Sequence, residues 1–184
     1  MLIGIIIGAV ILILIIWFIA SYNGFVRLKN SIEEAFSTMD VYLKKRYDLI
    51  PNLVETVKGY AKHEKETLER VMAARNAAAS ATTMEGRIEG ENMLQGTLKS
   101  LFAVAEAYPD LKANTNFLEL QGDLRRIEDE IANSRKYYNA IVKTYNTKRE
   151  VFPSSIIAGI FRFEKKPLFE VAAAAERENV RVQF

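Results

Sequence analysis

The sequence contains no cysteine and a single histidine, His63. Without thiols there is no disulfide framework, iron–sulfur cluster, thiolate zinc site or cysteine nucleophile, and one imidazole leaves almost no material for a His-rich metal site or a His-based catalytic dyad. The missing cysteine does not assign a compartment, because either side of a membrane tolerates it. A dominant charge is absent too: 25 Lys and Arg face 23 Asp and Glu, and a formal balance of +2 gives no basis for a nucleic-acid surface. Proline is scarce, with only Pro51 and Pro109 between Gly24 and Phe152, and strand-like alternation is missing over the same stretch. These absences lead to the expectation of a non-enzymatic protein that uses no cofactor or metal and does not bind nucleic acid.

The first 20 residues, Met1 to Ala20, carry no charged side chain. As a helix, about 20 apolar residues cover a hydrocarbon core of roughly 30 Å, so residues 1–22 are read as a transmembrane helix. A cleaved signal peptide would need a basic n-region, and nothing basic precedes this run. Trp17 and Tyr22 fall near the downstream interface, where amphipathic rings concentrate. The first basic residues, Arg27 and Lys29, follow the span, so the positive-inside rule places the C-terminal part in the cytoplasm. Gly4 and Gly8 form a GxxxG pair, which leaves room for a homo-oligomer although such pairs arise often by chance in apolar spans.

The remaining residues suit one domain, and their abundance of Leu, Ala, Glu, Lys and Arg predicts an all-α fold. Helices are expected over residues 22–48, 51–80, 88–107 and 116–150, with Pro51 in the first turn of the second and Pro109 closing the third. The last carries Phe117, Leu120, Leu124, Ile127, Ile131, Ser134, Tyr138, Ile141 and Tyr145 at alternating spacings of three and four, the seam of knobs-into-holes packing. Short connections make consecutive helices antiparallel. The expected architecture is an elongated antiparallel up-down-up-down bundle over residues 23–150, following the transmembrane helix, with an apolar and basic tail at 151–184. The fourth helix, about 35 residues and roughly 50 Å long, would return to the bilayer and set Tyr145 and Asn146 beside Tyr22 and Asn23.

Several residues stand out from these patterns. Arg46, Glu64, Arg75 and Glu91 fall on otherwise apolar seams, where an unpaired buried charge is costly, so each should be paired or lie near a bundle end. A register-specifying pair and a small-ligand site between helices are both open readings, whereas a di-metal site lacks its ExxH motif. Asn139 and Asn146 lie seven apart, each preceded by a tyrosine, and share a face; they either hydrogen-bond to helices or chain ends or form a polar patch for a partner. In the tail, Ile156, Ile157, Ile160, Phe161 and Phe163 alternate with Arg162, Lys165 and Lys166, after Arg149. That mixture suits an interfacial segment on anionic lipid and, equally, a cap beneath the bundle.

Four strings go further: Tyr22-Asn-Gly-Phe25, the block from Asp40 to Tyr60 that contains Arg46-Tyr-Asp-Leu-Ile-Pro-Asn52, Ala105-Glu-Ala-Tyr-Pro-Asp-Leu-Lys-Ala-Asn114, and Tyr138-Asn-Ala-Ile-Val-Lys-Thr-Tyr-Asn146. In this order they resemble the LemA family of bacterial membrane proteins. The resemblance implies one N-terminal membrane helix followed by a long helical bundle, and no enzyme activity. The expected role is that of a scaffold or adaptor for envelope proteins, with Tyr22, Asn23, Tyr138, Asn139, Tyr145 and Asn146 near the membrane and Arg46, Tyr47, Asp48, Pro51 and Asn52 at a distal turn as its partner-binding residues. A lipid- or small-ligand-binding module at the membrane surface is the alternative.

Overall fold

The structure is a computed structural model and describes residues 1–170. Those residues form six helices and, among the described residues, no strand: α1 (Leu2–Tyr60), α2 (Lys65–Ser80), α3 (Met84–Glu106), α4 (Pro109–Lys112), α5 (Thr115–Glu150) and α6 (Ser154–Ile160). The all-α expectation holds. The described residues divide into two compact units, one of residues 1–39 and 133–168, the other of residues 40–132 with residues 169 and 170.

The largest departure from the sequence reading is at Pro51, which opens no second helix but lies inside α1. A proline has no N–H to give the carbonyl four residues back, so a helix that runs through it leaves an acceptor without its partner. Here that acceptor is the Tyr47 carbonyl, and Arg75 Nε of α2 donates to it at 3.0 Å. The partner that removes the penalty comes from 28 residues away, which no local rule registers. The connection instead falls at residues 61–64, where the Ala61 and Glu64 amides close a tight turn onto Val57 and Ala61 carbonyls at 2.8 and 3.2 Å.

Downstream boundaries follow capping chemistry. Thr83 Oγ1 accepts the Gly86 N–H at 3.1 Å, which starts α3 at Met84, four residues before the predicted 88. Asn114 Oδ1 accepts the Phe117 N–H at 2.9 Å and caps α5. Pro109, at the first position of the short α4, sits where its missing donor costs nothing.

In the second unit α2 and α3 pack so closely that a Cβ on Gly90 would lie 2.7 Å from the Ala78 Cα. Their apolar faces, Val71, Ala74 and Ala78 from α2 and Leu94 and Leu101 from α3, join Leu43, Ile50, Leu53 and Val57 of α1 in a fully buried core. In the first unit Phe25, Ala35 and Met39 of α1 are buried, as are Tyr138, Val142 and Tyr145 of α5 and Ile157 of α6. Along α5 the residues Phe117, Leu124, Ile131, Tyr138 and Tyr145, seven apart, are all buried, while the interleaved Leu120, Ile127, Ser134 and Ile141 are half-buried. Within each unit α1 and α5 run antiparallel: Phe25 meets Tyr145 and Phe36 meets Tyr138 in one, Arg46 meets Glu128 and Tyr60 meets Asn114 in the other.

Candidate functional site

In the first unit the chain after α6 returns along α5 as an extended segment, and α5 holds it by a ladder of side chains. Arg149 Nε donates to the Phe163 carbonyl at 2.8 Å, the Tyr145 hydroxyl to Glu164 at 3.0 Å, and the Tyr138 hydroxyl to Pro167 at 3.1 Å. Asn146 makes the two-point contact: Nδ2 donates to the Lys166 carbonyl at 2.8 Å and Oδ1 accepts the Lys166 N–H at 3.0 Å. One residue thus satisfies both peptide groups of Lys166, as a strand neighbour would. Buried Phe25 stacks on Phe163 at 4.7 Å and takes the edge of Tyr145 at 5.9 Å. Burial pushes the Tyr145 hydroxyl above its ordinary pKa of 10.0, against the opposing pull of Arg149. Lys148, whose Nζ lies 5.0 Å over the Phe25 ring, has its pKa lowered by desolvation.

Tyr138, Asn139, Tyr145 and Asn146 therefore occupy one stretch of α5, and the chain's own tail covers the hydroxyl or amide ends of Tyr138, Tyr145 and Asn146. Tyr22 lies half-buried, its ring 4.6 Å from Phe161 and 6.0 Å from Phe163, and Asn23 is exposed. Downstream of Tyr22, Gly24 lies against the Lys148 side chain of α5 and Phe25 against Tyr145. Ile157 is buried, whereas Ile156, Phe161, Arg162 and Lys165 are exposed; Lys165 pairs with Glu150 at 3.4 Å.

The second unit contains the buried charges. Arg46, 3% exposed, forms an ion pair with Glu91, 4% exposed, and donates through Nη1 to Glu128 Oε1 at 2.8 Å. Tyr47 donates its hydroxyl to Glu91, and burial, ahead of the lowering influence of Arg46, raises its pKa from 10.0. Asp48 and Asn52 are exposed, with Asp48 4.0 Å from Arg75. Residues 46–52 thus lie within α1 and form no turn. Glu64, the fourth charge on the seams, lies in the connection between α1 and α2. This arrangement ties helices together; among the described residues no group of three or more His, Asp or Glu could hold a metal. An open cleft of about 770 Å³ between the end of α1 and α2 is floored by Val54, Ala61, Leu68 and Met72 and rimmed by ion-paired Lys58 and Glu55, Lys65 and Glu69.

Sequence reasoning did not assign the stacking of Phe25 on Phe163, because that contact depends on the tail's path.

A helical protein whose first helix is long and apolar enough to cross a membrane is the class that this fold defines. Residues 35–184 match the model of the LemA family, and the chain belongs to that family. It is similar to Protein LemA of Metamycoplasma hominis, 27% identical over 90% of this chain and 74% of that protein. Magnetosome protein MamQ 2 of Paramagnetospirillum magneticum is 25% identical over 89% of this chain and 70% of its own length. Magnetosome protein MamQ of Magnetospirillum gryphiswaldense is 24% identical over the same shares.

Proposed function

We propose that the protein is a non-enzymatic scaffold of the bacterial inner membrane, spanning it once and presenting helical faces to envelope proteins on the cytoplasmic side. The carrying observation is the continuity of α1: one unbroken helix supplies both the apolar stretch and, from Phe25 onward, the wall on which α5 and the returning tail are fastened. The apolar stretch and this wall belong to the same helix and the same compact unit, so an exposed face of that unit stays at a set distance from the bilayer. Such rigidity suits a partner that is itself embedded beside it and confers nothing on an enzyme acting in solution.

The test is photo-crosslinking in intact cells from Lys29 of α1 and Tyr137 and Lys143 of α5, exposed positions of the first unit. Recurrent crosslinks from one face to the same membrane proteins are the expected outcome. Crosslinks that stay within the chain at every position would overturn the scaffold reading.

A further inference from the structure

We propose that the segment of residues 151–162, with α6 at its centre, is a second membrane contact that beds into the headgroup layer of an anionic leaflet beside the span. This rests on the reading of α1 as a membrane helix. The placement comes from Phe161, whose ring lies 5.9 Å from Phe18 and 4.6 Å from Tyr22. Phe18 precedes the end of the continuously apolar run at Ala20 by only two residues, roughly 3 Å of helix rise. Wherever lipid surrounds that end of the run, it also meets Phe161.

The surface offered there is apolar. Phe152, Ile156 and Ile160 follow at four-residue intervals and are 81%, 49% and 59% exposed, while Ile157 and Ala158 turn inward and are buried. Around them the stretch 148–166 holds five basic residues, Lys148, Arg149, Arg162, Lys165 and Lys166, against Glu150 and Glu164. Aliphatic and aromatic side chains beside Lys and Arg match an interface whose acyl boundary is apolar and whose headgroups are anionic. The segment is also preorganised. Phe163 N–H bonds to the Ala158 carbonyl at 2.9 Å and Arg162 N–H to Gly159 at 3.3 Å, with Arg162 at φ 52°, which closes α6 in a Schellman turn. Beyond it the ladder from Arg149 to Tyr138 holds the extended segment that follows. Docking on lipid then requires little additional ordering.

Because the chain has no cysteine, single substitutions give unique labelling sites. Nitroxide-labelled Ile156→Cys and Ile160→Cys, in the full chain reconstituted into phosphatidylcholine vesicles containing phosphatidylglycerol, are compared with Ile13→Cys in the span and Met93→Cys on α3. Positions 156 and 160 should fall between 13 and 93, with an oxygen-to-nickel-chelate collision ratio several-fold above that at 93 and below that at 13. Lys165→Gln with Lys166→Gln should make position 160 shallower in these vesicles and leave it unchanged in pure phosphatidylcholine. If 156 and 160 match position 93 while 13 reads lipid, the second membrane contact is refuted and the span stands. If 13 also reads water, both fall. Labels shielded from oxygen and chelate alike would mean that protein covers the face, and a depth indifferent to phosphatidylglycerol would remove the anionic preference.

Discussion

Replacing Asn146 by alanine should release the tail from α5 while leaving the helices folded. The substitution removes two hydrogen bonds, Nδ2 to the Lys166 carbonyl at 2.8 Å and the Lys166 N–H to Oδ1 at 3.0 Å. A typical intramolecular hydrogen bond contributes about 0.5–1.5 kcal/mol net, and the freed peptide groups are partly open to water, so about 2 kcal/mol is a reasonable total for the pair. At roughly 1.4 kcal/mol per factor of ten, the detached population should rise about 30-fold. Native-state hydrogen exchange reads this directly: the Lys166 amide should exchange about 30-fold faster, and amides in the middle of α5 should keep their protection. Trypsin cleavage after Arg162 and Lys165 should accelerate in parallel. Asn133→Ala, at an exposed position of α5, is the control and should change neither readout. Unaltered exchange at Lys166 would refute the clasp, and a loss of protection spread evenly over α1 and α5 would show that Asn146 supports the bundle and not the tail.

Gly90→Ala should destabilise by about 1–3 kcal/mol or more in thermal melts, because the new methyl meets Ala78 backbone atoms at 2.7 and 2.9 Å. Gly96→Ala, with nothing within 4 Å, should be neutral or stabilise by up to about 1 kcal/mol. Arg46→Ala strands the buried Glu91 and should cost about 3–5 kcal/mol in denaturant titrations, whereas Arg46→Met combined with Glu91→Leu should recover most of that loss. Tyr47 has a folded pKa above its ordinary 10.0, so its contribution is complete below that pH and declines as pH rises through the folded value, where only the unfolded chain has already ionised. Stability should therefore fall more steeply above pH 10.0 in the parent than in Tyr47→Phe, as measured by urea unfolding across that range.

Much of the fold was legible because it depends on local periodicity. The uncharged run at the N-terminus and the heptad positions Phe117, Leu124, Ile131, Tyr138 and Tyr145 can be read from spacing, since a helix places such residues on one face whatever surrounds it. Arg46 and Glu91 could be marked as needing partners, because burying an unpaired charge is costly in any context. Their pairing with each other required the packing of α1 against α3.

The candidate site was legible in its residues but not in their arrangement. Tyr138, Tyr145 and Asn146 stand out as polar groups in a helix that otherwise explains itself, yet what they bind is the tail's backbone, and backbone groups have the same chemistry at every position. Pro51 illustrates the same divide. Its ring and missing donor weaken any helix, so a boundary was the rational expectation; the Arg75 guanidinium, brought to the Tyr47 carbonyl by the fold, lets α1 continue to Tyr60. Helical content, the membrane-length apolar run and the charges in need of partners follow from forces acting over one or two turns. The length of α1, the course of the tail and the identity of each partner arise from contacts between residues distant in the chain, whose geometry exists once the helices have packed.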